Sequence, residues 1–146
     1  MTTVQEILAS KQQNAVTTID RNVSVLEATQ LMNRHKIGAL IVEENDRVVG
    51  IFTERDVLRR VVAEQHDPAT TKVGDVMTDK VVCVTADTSV DDVRQIMKSR
   101  RIRHLPVVNG DQSVLAMLSI GDLNAHAIRD GEVTIQYMHE YIYGRV

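Results

Sequence analysis

Two short stretches of the chain set a hydroxyl three residues ahead of a carboxylate. Thr53 precedes Asp56 in Gly-Ile-Phe-Thr-Glu-Arg-Asp, which begins at Gly50, and Ser119 precedes Asp122 in Ala-Met-Leu-Ser-Ile-Gly-Asp, which begins at Ala116. In both, a strand-like apolar run leads into the hydroxyl and a helical pattern follows. A strand that feeds directly into a helix gathers unpaired backbone N–H groups and the positive end of the helix dipole at one point, where an anion is favoured. The same spacing fits a capping box, with the hydroxyl at the N-cap and the acid closing the first turn. Capping explains either copy taken alone; two copies at matching places would also build two like sites.

The elements that position these residues repeat as well. Ser24-Val25 recurs as Ser89-Val90, Met32 as Met97 and Ile37 as Ile102, all at one offset, and an added residue near Ser113 shifts Thr53 and Ser119 by one more. The first copy opens with a short helical pattern from Val4 to Ala9 and a strand near Ala15 to Ile19. Ser24 then caps a helix carrying Val25, Ala28, Leu31 and Met32 on one face. Ala39 to Glu43 and Arg47 to Phe52 flank a polar turn and predict a hairpin, and a helix with Val57, Leu58, Val61 and Val62 follows Thr53. Asp67-Pro68-Ala69-Thr70-Thr71 reads as the boundary.

After it, Val73 to Met77 echoes Val4 to Leu8. A strand from Val81 to Val84, a helix from Ser89, strands His104 to Val108 and Val114 to Leu118, and a helix from about Ile120 complete the second copy. The expected fold class is α/β (α+β), with two β-α-β-β-α repeats at 1–66 and 73–131 joined by a linker at 67–72. Each repeat is small for an independent core, so the two should pack as one body. The segment 132–146 is expected to form a C-terminal helix, with Ile135, Met138, Tyr141 and Ile142 as a stripe that covers the second repeat or forms a dimer contact.

The 146 residues are 43% hydrophobic and 25% charged, which fits a soluble domain with a real core. The single cysteine, Cys83, fits a reducing compartment. No apolar run approaches the ~20 residues of a membrane helix, and the N-terminus lacks the build of a signal peptide, so a cytoplasmic protein is expected. A net charge of -3 argues against general nucleic-acid binding. One local cluster is basic: Lys98, Arg100, Arg101, Arg103 and His104. The five histidines are scattered, and no catalytic triad or metal-ligand spacing is present, so the chain does not read as an enzyme.

These residues resemble a tandem pair of cystathionine-beta-synthase-type (CBS) domains, a Bateman module. The resemblance rests on His35 to Val42 with Gly50 to Asp56, and on Arg101 to Val108 with Met117 to Asp122. It implies a pseudo-two-fold body with two sites for adenosine-containing ligands, AMP foremost, with ADP, ATP, NAD or S-adenosylmethionine as others. It also implies a homodimer and an effector protein that the sequence does not name. Asp56 or Asp122 would hold the ribose hydroxyls, and Thr53 or Ser119 would face phosphate. By this resemblance, the Asp122 site would take adenine between Thr17 and Ile37-Gly38, with phosphate at Arg103 and His104, which makes it the better equipped of two unequal sites on the phosphate side. The Asp56 site would take adenine against Val82 and Ile102-Arg103, with Ile37 and Gly38 on its phosphate side. The expected function is a non-catalytic nucleotide sensor; the alternative is a dimerisation scaffold that binds no ligand.

Overall fold

The structure, a computed structural model, describes residues 1–11 and 17–129. The first repeat comprises α1 (Val4–Ser10), β1 (Thr18–Asp20), α2 (Val25–His35), β2 (Ala39–Glu44), β3 (Arg47–Thr53) and α3 (Glu54–Asp56), which continues as a π-helical stretch, Val57–Val62. The second comprises α4 (Val73–Val76), α5 (Val90–Arg100), β4 (His104–Val108), β5 (Val114–Ser119) and α6 (Ile120–Arg129). The expected C-terminal helix, with Ile135, Met138, Tyr141 and Ile142, lies outside the described residues, as do Ala15 and Val16 of the expected first strand.

The repeat is built from matching local devices. Ser24 accepts from the Glu27 N–H at 3.1 Å, and Ser89 accepts from the Asp92 N–H at 3.1 Å, so each major helix starts on a serine cap. Each ends on a residue in the left-handed region, Lys36 or Arg101, both at φ 55. The β2–β3 hairpin turns through Asn45 and Asp46 at φ 53 and 62, residue types that tolerate this conformation.

The sheets differ. In the first repeat β1 pairs in parallel with β2, and β2 antiparallel with β3; in the second, among the described residues, β4 and β5 alone form a ladder. The strand expected at Val81 to Val84 is reduced to a single bridge between Val84 and Val107. Pro106 supplies the reason. In the first repeat the Ile41 N–H donates to the Thr17 carbonyl at 3.3 Å. Ile41 and Thr17 correspond to Pro106 and Val82, and proline has no N–H to give. The Val84 N–H still reaches the Pro106 carbonyl at 3.0 Å, and the Val108 N–H reaches the Val84 carbonyl at 2.8 Å. The ladder ends there.

The helix after Thr53 also departs from the expected pattern. Val61 is buried, but Leu58 and Val62 are each 62% exposed. The bonds from Ala63 N–H to Leu58 O and from His66 N–H to Val61 O run from i+5 to i, a wider turn that rotates these two residues out of the core face.

Two apolar cores result, and each contains the leading helix of the other repeat. Val4, Ile7 and Leu8 of α1 pack with Val93, Leu105, Leu118 and Leu123, whereas Val73, Val76 and Met77 pack with Val25, Leu40, Phe52 and Val61. The backbone repeats the exchange. Val4 N–H bonds Thr88 O and Val90 N–H bonds Thr2 O, both at 2.9 Å, while Val73 N–H bonds Val23 O at 2.9 Å and Val25 N–H bonds Thr71 O at 2.8 Å. Neither repeat closes its core alone, so both are held in one body.

Candidate functional site

Both hydroxyl–carboxylate pairs form complete capping boxes. The Asp56 N–H donates to Thr53 Oγ1 at 3.2 Å, and the Thr53 N–H returns a bond to Asp56 Oδ2 at 3.0 Å. The second copy matches, with 3.1 Å from Asp122 N–H to Ser119 Oγ and 2.9 Å from Ser119 N–H to Asp122 Oδ2. Capping consumes part of one carboxylate oxygen in each case. An ionised carboxylate has about four acceptor positions, so further donors can be held.

Around these boxes the two sites diverge. Asp56 is 5% exposed, accepts the Thr78 hydroxyl at 3.1 Å on Oδ1, and has Arg60 Nε 3.7 Å away. Thr78 comes from the segment after α4, which crosses the outer edge of β3 and pairs with Ile51 through two 2.9 Å backbone bonds. Gly50 permits this crossing, because a Cβ there would stand 2.8 Å from Thr78 O and 2.5 Å from Met77 Sδ. Asp122 instead meets Lys11, whose ammonium lies 3.0 Å from Oδ2 and donates to Met117 O at 2.9 Å.

A cleft of about 480 Å³ opens beside Asp56 and Thr53, with Gly38 and Glu54 from the first repeat facing Val82, Ile102, Arg103 and His104 from the second. Lys80, Arg55 and Arg101 add cationic groups to its rim. Its walls therefore combine a buried carboxylate, an apolar patch and a positive mouth. Burial holds the His104 imidazole below its ordinary 6.5, Arg103 pushes the same way, and Asp122 and Glu54 oppose. At neutral pH Arg103 thus carries the charge of the Arg103–His104 pair.

Of the residues singled out from sequence, this cleft gathers Thr53, Asp56, Gly38, Val82, Ile102, Arg103 and His104. Ile37 lies in a neighbouring depression of about 380 Å³ that shares Glu54 with the cleft. Thr17, Ser119 and Asp122 do not line the cleft. Arg103, expected at the base end of the Asp56 site as well as the phosphate end of the Asp122 site, lines the Asp56 cleft together with His104, and His104 also feels the Asp122 carboxylate. Sequence reasoning missed Glu54, Thr78, Lys80 and Lys11. Glu54 was marked by Gly38: a Cβ at Gly38 would lie 3.3 Å from the Glu54 carboxylate, so the missing side chain makes room for it.

The CBS-domain sequence profile matches residues 4–63 and again 73–128. The chain belongs to the CBS-domain family. It is 36% identical over 154 aligned positions to the mitochondrial CBS domain-containing protein CBSX3 of Arabidopsis thaliana, covering 98% of this chain and 73% of that one. A solved CBS-domain protein from Burkholderia ambifaria superposes with a TM-score of 0.83 at 39% identity, covering 92% of this chain and 99% of its own. The CBS pair of protein MJ0100, solved with 5'-methylthioadenosine and S-adenosyl-L-methionine, superposes with a TM-score of 0.74 at 26% identity, over 85% of this chain and 98% of that one. CBS-domain pairs bind adenosine-containing ligands and generally act as regulatory, non-catalytic modules. Among the described residues, no helix is long and apolar enough to cross a membrane.

Proposed function

We propose that the chain is a cytoplasmic, non-catalytic sensor that binds an adenine nucleotide, AMP first, in the cleft beside Asp56 and passes the result to an effector protein. The observation that carries this reading is the composition of that one cleft. Asp56 and Thr53 offer acceptors for a ribose diol, Val82 and Ile102 offer an apolar face for a base, and Arg103 with Arg101 and Lys80 offers donors for phosphate. The Thr78 hydroxyl on Asp56 marks where a ligand hydroxyl would enter, since one O–H donor can replace another. Pro106 adds a further feature: it has no N–H to give the Val82 carbonyl, and Val82 lines the cleft, so this carbonyl would be available to an amino group of the base. The Asp122 pair with Thr17, Ile37 and Gly38 forms the second, weaker site of this proposal. ATP, NAD and S-adenosylmethionine are the competing ligands, and signalling requires that the bound nucleotide favour one of two conformations.

Thermal unfolding against AMP, ADP, ATP, NAD and S-adenosylmethionine tests the reading. A ligand at 100-fold over its dissociation constant adds about 2.7 kcal/mol to the native state. No shift with any of them, in protein freed of carried-over nucleotide, would overturn it.

A second reading is a dimer scaffold without a ligand. It is favoured by Leu58 and Val62, two apolar side chains one turn apart and each 62% exposed. A homodimer formed through this face is compatible with either reading; only the ligand experiment separates them.

A further inference from the structure

The two carboxylates occupy equivalent places, yet the chain presents a different group to each. On one side Thr78 crosses the outer edge of β3 at Ile51 and gives its hydroxyl to Asp56. On the other, Lys11 reaches the outer edge of β5 at Met117, the residue that matches Ile51 in the hairpin register. Its ammonium bonds Met117 O at 2.9 Å and Asp122 Oδ2 at 3.0 Å.

We infer that Lys11 is a built-in competitor for the Asp122 carboxylate that keeps this second site from taking a ribose. The inference rests on the ligand reading above and adds a rule of occupancy to it. A threonine hydroxyl rotates, can accept as well as donate, and carries no charge, so a ribose hydroxyl displaces it with little loss. An ammonium only donates, and removing it leaves two charged groups to be solvated separately. Lys11 is also held where it is. Its own N–H bonds Leu8 O at 3.3 Å at the end of α1, and Ile7 and Leu8 of that helix are buried in the second core. The neighbouring Ser10 hydroxyl accepts from Arg129 of α6 at 2.9 Å. The pair is sheltered, with side chains 26% and 19% exposed, so solvent only partly screens it. One chain therefore fills the Asp56 cleft and holds the Asp122 site closed, which makes the module a single-site responder.

The test is calorimetric titration of AMP into the wild type, Lys11→Met and Asp56→Asn, and into the double variant of both substitutions. Lys11→Met keeps the aliphatic stem and drops the charge. Loss of one ion pair and one hydrogen bond should tighten the second site about tenfold. At AMP concentrations that just saturate the wild type, the wild type should take up one AMP per chain and Lys11→Met two, whereas Asp56→Asn should bind about 10- to 150-fold more weakly and the double variant should regain one tight site at Asp122. If the wild type binds AMP through Asp56 and Lys11→Met leaves stoichiometry and second-site affinity unchanged, the competitor role is overturned and the ligand reading stands. If neither the wild type nor Lys11→Met binds AMP, both fall. Lys11→Gln serves as the second variant, and circular dichroism confirms that each is folded.

Discussion

Replacing Gly50 by alanine should show how tightly the crossing segment is locked onto the sheet that carries Asp56. A Cβ at this position meets Thr78 O at 2.8 Å, Met77 Sδ at 2.5 Å and Met77 Cγ at 3.1 Å. Met77 is buried in the first core and Thr78 O is fixed by the Ile51 N–H, so neither yields freely. Overpacking of this kind costs about 1–3 kcal/mol, and strain on two backbone bonds adds about 1 kcal/mol. A net loss of about 2–4 kcal/mol would lower the melting temperature by about 6–13 °C for a chain of this size. Displacing Thr78 also withdraws its hydroxyl from Asp56, so AMP affinity should change along with stability. The second repeat provides the control: Ala116 already carries the methyl group, and the group recorded at that strand edge among the described residues is the Lys11 ammonium on Met117 O. Ala116→Gly should cost about 1 kcal/mol through lost packing and added chain entropy. Urea denaturation of both variants reads these differences. A Gly50→Ala loss below about 0.5 kcal/mol would refute the idea that backbone crowding at β3 dictates the glycine.

Three further outcomes follow from the same geometry. His104 has a lowered pKa, so below its ordinary 6.5 the unfolded chain binds the proton first; stability should fall with pH from there until the folded value is passed, and His104→Gln should remove that part of the loss in melts from pH 7.5 to 5. As the pH falls through this window, where the AMP phosphate also begins to take up a proton, AMP affinity of the wild type relative to His104→Gln should rise, because a phosphate beside Arg103 favours the imidazolium; a ratio independent of pH would count against His104 lying near the phosphate. Burial raises the Cys83 thiol, so disulfide exchange with a chromogenic reagent at pH 7 should be slower than for free cysteine, and AMP should slow it further from the adjoining Val82 wall.

Much of the fold was legible because sequence and local physics agree. Serine caps, apolar spacing in α2 and α5, and the polar turn after β2 all point one way, and the repeat tied the halves together. The shortened sheet of the second repeat was signalled by Pro106, but a short apolar run such as Val81 to Val84 gives no sign of which neighbour must supply its bonds. The exchange of α1 and α4 between cores was not legible, since an apolar helix face reads the same whichever core it covers. Leu58 and Val62 fit a helical stripe at ordinary pitch and point outward only because the turn widens. At the site, the hydroxyl–carboxylate pairs were visible as motifs, whereas Thr78 and Lys11 reach them from elsewhere in the chain through side chains, and nothing in local spacing marks such partners.

The most direct measurement is the affinity of AMP for the wild type set against Asp56→Asn, by calorimetry at one pH and salt concentration. Asparagine keeps the size of the side chain and can still accept the Thr53 N–H, so the cap survives while the charge is lost. Losing a charged acceptor for the ribose should weaken binding by about 1.5–3 kcal/mol, roughly 10- to 150-fold. Asp122→Asn should leave this first binding event within about twofold of the wild type. Equal AMP affinity in the wild type and Asp56→Asn, or a loss confined to Asp122→Asn, would contradict a ligand site built on the Asp56 cleft.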